Sequence, residues 1–131
     1  MGLKLEHVSY LYGTDTELLV RALDDVNLEI PDGQFIGLIG HTGSGKSTLV
    51  QHLNGLLKPS EGTILFNGEN IWAQDYSRKT LRSKVGLVFQ YPEHQLFETD
   101  VLADVCYGPK NLGLEQGEIE RRAKKALELV G

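Results

Sequence analysis

Cysteine and long apolar runs are scarce in this sequence. Cys106 is the single cysteine, so no disulfide can form within the chain, as is typical of proteins in a reducing compartment. Uninterrupted apolar runs such as FIGLI (35–39) are far shorter than the ~20 residues that span a bilayer. The opening MGLKLEHVSY lacks the apolar stretch of a signal peptide. We therefore expect a soluble chain whose membrane contact comes through a partner.

Positive charge is also limited. The 131 residues include 13 Lys and Arg against 18 Asp and Glu, for a net charge of −5, and the basic residues form no block. Nucleic-acid binding needs concentrated positive charge, so we predict no nucleic-acid partner, although a local cationic pocket is still compatible with this composition. The length fits one domain, and 40% hydrophobic residues are enough for a core.

Apolar patterning predicts strands of two kinds. Alternation in residues 3–5 and 26–30 predicts strands with one buried face. The continuous apolar runs FIGLI (35–39) and VGLVF (85–89) instead predict strands covered on both faces, as in a parallel α/β sheet. TILFNGENI (63–71) predicts a hairpin, because Asn and Gly tolerate positive φ.

Helices are predicted by i, i+4 and i+7 spacing and by end signals. One is expected to begin at about Lys46 and to end at Lys58-Pro59, with Leu49, Leu53 and Leu56 on one face. KTLRSK (79–84) predicts a short helix. Another is expected after Thr99 as N-cap, ending at Gly108-Pro109. The last stretch, 117–130, is amphipathic, and its charges are expected to form a solvated face with the pairs Glu118–Arg122 and Glu120–Lys124.

Residues 40–47, GHTGSGKS, match the phosphate-binding pattern G-x-x-x-x-G-K-[ST] in full. Glycines let successive backbone N–H groups point toward phosphate oxygens, and the following helix adds the positive end of its dipole. Lys46 would reach the β- and γ-phosphates, and the Ser47 hydroxyl would bind Mg²⁺. The predicted ATP-binding residues of this loop are Gly40, His41, Thr42, Gly43, Ser44, Gly45, Lys46, Ser47 and Thr48.

The loop and its flanks, GHTGSGKSTLVQHLNGLLKPSEGTILFNGENI (40–71) and KVGLVFQYPEHQLF (84–97), resemble the ATP-binding cassette (ABC) ATPases. The resemblance runs from Leu3 to Gly131 and implies ATP and Mg²⁺ as cofactors. It implies that Gln90 touches the metal and the attacking water, although Gln90 read alone is an ordinary polar strand end. It also implies that Tyr12 stacks on adenine, whereas Tyr10 is expected in the core.

The segments GHTGSGKSTL (40–49), HLNGLLKP (52–59), QYPEHQLFE (90–98) and DVCYGPKNLG (104–113) look more narrowly like the ATPases of energy-coupling factor (ECF) transporters. This likeness implies uptake of cobalt, nickel or vitamins in prokaryotes, at the cytoplasmic face of the cell membrane. It implies membrane-embedded ECF subunits and a second ABC ATPase subunit, identical or paralogous, as partners. Residues 91–97 would form a groove for a membrane subunit. Leu96 and Phe97 fit a core position equally well.

The implied fold is α/β, a P-loop NTPase of the ABC type. We expect an antiparallel β subdomain, an incomplete RecA-like core and the start of the helical subdomain. Residues 1–131 would be the N-terminal portion of one ABC ATPase domain, because the family's LSGGQ-like segment, Asp-Glu strand and switch histidine do not occur in the sequence.

Two expectations follow from those missing parts. The chain alone should not hydrolyse ATP, although its full-length parent would be an ATPase. The two apolar strands would lack their usual neighbours, so the chain either pairs unusually as an oligomer or is stable only through its antiparallel part. Two other functions remain open: a cytosolic ABC ATPase without a transporter, and a non-catalytic nucleotide-binding or interaction module.

Overall fold

The computed structural model describes residues 2–15 and 17–131. The chain divides into two compact units, of which the first ends at Leu87 and the second comprises Val88–Gly131. Among the described residues, no helix combines the length and the apolar character needed to cross a bilayer.

The first unit is organised by a four-stranded antiparallel sheet with the spatial order β2-β1-β3-β4. The strands are β1 (Gly2–Tyr12), β2 (Val20–Pro31), β3 (Glu61–Phe66) and β4 (Glu69–Asn70). Strand β1 pairs with both β2 and β3, and its Tyr12 lies opposite Val20. The predicted hairpin is confirmed, with Asn67 and Gly68 at φ of 52° and 84° in its turn.

Two helices cover this sheet, α1 (Lys46–Leu53) and α2 (Arg78–Lys84). Helix α1 begins where the sequence predicts but ends five residues before Lys58, because Gly55 takes φ of 69° and breaks the helix. Leu56, predicted on the buried face, is therefore exposed. The core combines residues of the sheet, both helices and the stretch after β4: Leu5, Val8, Leu23, Leu49, Ile64, Ile71 and Leu81.

The two predicted parallel strands are absent from the described residues. Residues 35–39 and 85–89 have no strand partner, so the strand predictions for both segments are wrong for this chain. The side chains of Phe35 and Ile39 are 102% and 96% exposed. A strand needs a neighbour to satisfy its backbone hydrogen bonds, and apolar composition alone does not supply one.

The second unit contains a 3-10 turn (Pro92–Gln95) followed by α3 (Val101–Asn111) and α4 (Gln116–Val130), which pack on each other. Asp100, rather than the predicted Thr99, caps α3, since its carboxylate accepts from the Ala103 N–H at 2.8 Å. Helix α3 also continues through Pro109, contrary to the prediction. Pro109 removes the hydrogen bond that its own N–H would make to the carbonyl four residues earlier, and the helix ends two residues later at Asn111.

Helix α4 confirms the amphipathic prediction in part. Ile119 and Ala123 are buried, but Val130 at the end of the predicted apolar stripe is exposed. Glu118 pairs with Arg122 at 2.6 Å as predicted and also with Arg121 at 2.8 Å. The other predicted partner residue, Glu120, accepts instead from Gln116.

Candidate functional site

The glycine-rich segment 40–45 forms a turn that leads directly into α1. The Ser44 N–H donates to the His41 carbonyl at 3.2 Å, which closes the turn. Gly43 and Gly45 lie in the left-handed region, at φ of 82° and 91°. Gly45 is also the N-cap residue and has no side chain to cap the helix. The first-turn N–H groups of α1 therefore depend on another acceptor, and the positive end of the dipole opens at the loop.

Lys46, the first residue of α1, folds back over this turn. Its ammonium donates to the carbonyl oxygens of Gly40 at 2.5 Å and His41 at 2.8 Å, and to the Ser44 hydroxyl at 3.2 Å. All three acceptors are neutral. Since a charged oxygen binds an ammonium more strongly than a neutral one, a phosphate placed here is a better partner for Lys46 than the loop itself.

Close packing requires glycine at Gly45, whereas a side chain at Gly40 would meet only the side chain of Ser44, which can rotate. A Cβ at Gly45 would lie 2.5 Å from the carbonyl oxygen of Ala22 on β2, which is too close for any side chain. A Cβ at Gly40 would lie 2.5 Å from the Ser44 hydroxyl, next to the Lys46 ammonium. The loop is thus pinned against strand β2 at one end, while the side where Lys46 lies stays open to an anion.

The other predicted residues of the loop differ in accessibility. Ser47 is exposed on the first turn of α1, where a hydroxyl oxygen is available to a hard cation. Thr48 is buried, and its hydroxyl makes a 3.0 Å hydrogen bond with the Tyr12 hydroxyl at the end of β1. The structure therefore brings Tyr12 and the 40–48 loop together, with about 41% of Tyr12 exposed.

Tyr10 and His52 also belong to this region, although sequence reasoning gave them no part in the site. Tyr10 packs edge-to-face against both Tyr12 (centroids 4.8 Å apart) and His52 (4.7 Å). His52 is fully buried, and its Nδ1 lies 2.7 Å from the Thr48 carbonyl oxygen. The sequence does contain the signal: residues two apart share a strand face, and residues four apart share a helix face.

Burial sets the charge state of His52. Loss of solvent lowers the pKa of this imidazole below its ordinary value of 6.5, and the hydrogen bond with the Thr48 carbonyl opposes that shift only partly. With Nδ1–H donating to Thr48, the other ring nitrogen, Nε2, is a buried atom without a hydrogen-bond partner. His52 is therefore a neutral, apolar-packed ring at neutral pH.

Gln90 lies in the second unit, in a bend rather than at the end of a strand, and its side chain is exposed. Tyr91, Leu96 and Phe97 after it are also exposed, which favours the surface interpretation of this segment over the core one. Phe97 packs edge-to-face on Tyr107 at 4.5 Å, and the 97 and 98 N–H groups donate to the Asp104 carboxylate. These contacts hold the segment on α3 with apolar side chains outward.

The chain is similar to many known proteins along its whole length. It is 52% identical over 131 residues to the energy-coupling factor transporter ATP-binding protein EcfA2 of Clostridium tetani, and 53% identical to EcfA2 of Caldanaerobacter subterraneus subsp. tengcongensis. In both cases the whole of this chain is covered but only 46% of the relative. The chain thus spans about half the length of these curated relatives.

Solved structures give the same result. CbiO1 of Clostridium perfringens, described as part of the ABC transporter complex cbiONQ, matches with a TM-score of 0.76 and 43% identity, covering 96% of this chain and 49% of that one. The ATP-binding cassette MJ0796, a dimer bound to ADP and Pi, matches with a TM-score of 0.77 and 28% identity, covering 96% and 56%. The ABC transporter family profile matches residues 23–131. With a G-x-x-x-x-G-K-S loop between β2 and α1 and this family profile over most of its length, the chain belongs to the ABC transporter family.

Proposed function

We propose that the first unit of this chain binds ATP, with the triphosphate on the 40–48 loop. The observation that carries the proposal is the Lys46 ammonium, which the loop gathers onto the neutral oxygens of Gly40, His41 and Ser44. Phosphate oxygens would replace these acceptors and would also accept from the uncapped N–H groups at the start of α1. Ser44 and the intervening Thr42 and Gly43 would complete the cradle.

Tyr12 is the proposed platform for the base. Its ring lies at the end of β1, beside the helix that carries the loop, and part of its surface is open to solvent. An aromatic face on which a purine stacks contributes without any requirement for a hydrogen-bonding edge. The proposal therefore assigns the phosphates to the loop and the adenine to Tyr12.

Mg²⁺ is the proposed cofactor of the nucleotide. Mg²⁺ prefers oxygen ligands, keeps several waters and is held by one or two protein groups together with substrate phosphates. The exposed Ser47 hydroxyl fits that donor set. When bound, the metal would neutralise charge on the β- and γ-phosphates, and Lys46 would hold the same phosphates.

For the whole protein we propose the role named in its relatives, an ATP-binding subunit of an ECF transporter that couples ATP hydrolysis to uptake of a metal ion or vitamin. The support is that about half of the residues along the full chain are identical to those of EcfA2 proteins, and that the fold is similar to a subunit of the cbiONQ complex. The proposed partners are membrane-embedded transporter subunits and a second ATPase subunit. The proposed location is the cytoplasmic face of the cell membrane.

Calorimetric titration of the chain with MgATP and with inorganic tripolyphosphate tests the phosphate site. Lys46→Ala should weaken both ligands about tenfold to a hundredfold, the value of charge-assisted hydrogen bonds to one cation. Lys79→Ala is the matched control, because it removes the same charge from an exposed position on α2. Equal binding by the Lys46→Ala chain and the unsubstituted chain would refute the phosphate role of the loop.

The proposed docking surface for a membrane subunit is the segment 91–97, whose Tyr91, Leu96 and Phe97 side chains face solvent. In a reconstituted transporter, Leu96→Asp should lower uptake per ATP hydrolysed more than it lowers hydrolysis. Leu129→Asp is the control, since it makes the same change at an exposed leucine of α4 outside this segment. Normal uptake per ATP in the Leu96→Asp transporter would rule out this surface.

A further inference from the structure

Four residues form a closed ring of contacts behind the phosphate loop. Tyr12 is hydrogen-bonded to the Thr48 side chain, and Thr48 is bonded through its carbonyl to His52. His52 packs on Tyr10, and Tyr10 packs on Tyr12, which closes the ring. Two members lie on β1 and two lie on α1, so the ring connects the end of one strand to the first two turns of the helix.

Tyr12 is held at two points, its hydroxyl and its ring. Its hydroxyl is held at 3.0 Å by a buried threonine, and its ring is met at 89° by the edge or face of Tyr10. Tyr10 in turn is supported from behind by His52, which has no exposed surface and is fixed to the helix at 2.7 Å. The position of Tyr12 therefore depends on the partly buried Tyr10 and, through it, on the fully buried His52.

We propose that Tyr10 and His52 are positioning residues for base recognition: they hold Tyr12 against α1 and so determine how much the nucleotide base adds to the binding of its phosphates. This inference rests on the proposed role of Tyr12 as the base platform. It goes beyond that role because it makes the base contribution depend on two residues outside the proposed base platform and phosphate loop.

The physical reason is preorganisation. A tyrosine at a strand end with only one restraint samples several rotamers, and a ligand that needs one of them must order it on binding. Thr48 restrains the hydroxyl and Tyr10 restrains the ring, so the two together leave one orientation. Because Thr48 and the phosphate loop are parts of the same helix start, the platform stays at a fixed distance from the phosphates.

The test compares MgATP with inorganic tripolyphosphate, which lacks a base, on the 131-residue chain. Tyr10→Leu removes the ring that touches both Tyr12 and His52, while Tyr10→Phe keeps that ring and is the matched control. We expect Tyr10→Leu to weaken MgATP about threefold to tenfold, the value of an aromatic pair, and to leave tripolyphosphate unchanged. Tyr10→Phe should bind both ligands as the unsubstituted chain does.

His52→Leu provides a second variant, which decides the question if Tyr10→Leu does not fold. It should show the same selective loss for MgATP. Equal weakening of both ligands would mean that the ring only stabilises α1, and unchanged binding of both would mean that Tyr12 needs no support; either result overturns the inference. If the unsubstituted chain binds tripolyphosphate and MgATP equally, the proposed base role of Tyr12 is wrong. If the unsubstituted chain binds neither ligand, the proposed phosphate site itself is wrong.

Discussion

Gly45→Ala and Gly43→Ala make a matched pair that measures how firmly the phosphate loop is pinned to the sheet. Both glycines lie in the left-handed region, at φ of 91° and 82°. They differ in what a new methyl group meets. At Gly43 there is nothing within 4 Å, whereas at Gly45 the Ala22 carbonyl oxygen lies at 2.5 Å and a Leu23 methyl at 3.4 Å.

The expected losses in the free energy of unfolding follow from those distances. Gly43→Ala carries only the backbone cost of a non-glycine residue in the left-handed region, about 1–2 kcal/mol. Gly45→Ala carries the same cost plus a collision with the backbone of β2, which cannot rotate away as a side chain would. Overpacking of this kind adds about 1–3 kcal/mol, so the Gly45→Ala chain should lose about 2–5 kcal/mol in total.

Urea unfolding followed by tryptophan fluorescence is the suitable assay, because Trp72 is the single tryptophan and packs against the core of the first unit. Circular dichroism gives a second probe of the same transition. A loss at Gly45 no larger than the loss at Gly43 would refute the reasoning. It would show that the loop moves away from Ala22 at no cost and is not pinned there.

Three further results are expected. Arg121 and Arg122 lower the pKa of Glu118 to about 2, so these ion pairs stabilise α4 above pH 4.5 and stop doing so as pH falls through about 2. Helicity measured by circular dichroism should fall across that pH range, and Glu118→Gln should remove this part of the fall. Burial lowers the pKa of His52, so the neutral ring stabilises the fold above pH 6.5, and this contribution declines as pH falls through the lowered pKa. The free energy of unfolding in urea should therefore fall less steeply with pH in His52→Leu than in the unsubstituted chain. An equally steep fall would contradict the prediction. Because Leu96 is exposed, Leu96→Asp should change the free energy of unfolding by no more than about 0.5 kcal/mol, and a larger loss in a urea titration would place this side chain in the core.

Elements whose contacts are local in sequence were predictable. The Asn67-Gly68 hairpin and the start of α1 at Lys46 are determined by turn and loop residues within a few positions, and both occur as predicted. The ends of α1 and α3 were not, because Gly55 outweighs the apolar spacing that continues to Leu56, and Pro109 is accepted in a last turn.

The segments 35–39 and 85–89 show where apolar pattern stops being informative. Their composition is that of buried strands, but a parallel strand is formed by pairing with distant neighbours, and within the described residues these segments have none. The site shows a related limit. The loop motif predicts residues 40–48, while the contacts of Tyr10 with Tyr12 and His52 depend on the packing of β1 on α1, which a motif does not contain.

Because segment 35–39 is exposed, the free energy of unfolding would depend on the concentration of any chain that covers it. Burying side chains as open as Phe35 and Ile39 is worth about 1.5–3 kcal/mol each, together about 3–6 kcal/mol, against a net stability of about 5–15 kcal/mol for a typical domain. Any chain that covers this segment, a second copy included, therefore adds a substantial fraction of the stability, and it does so in proportion to the logarithm of its concentration. Where a second copy covers the segment, melting temperatures are comparable only at equal protein concentration.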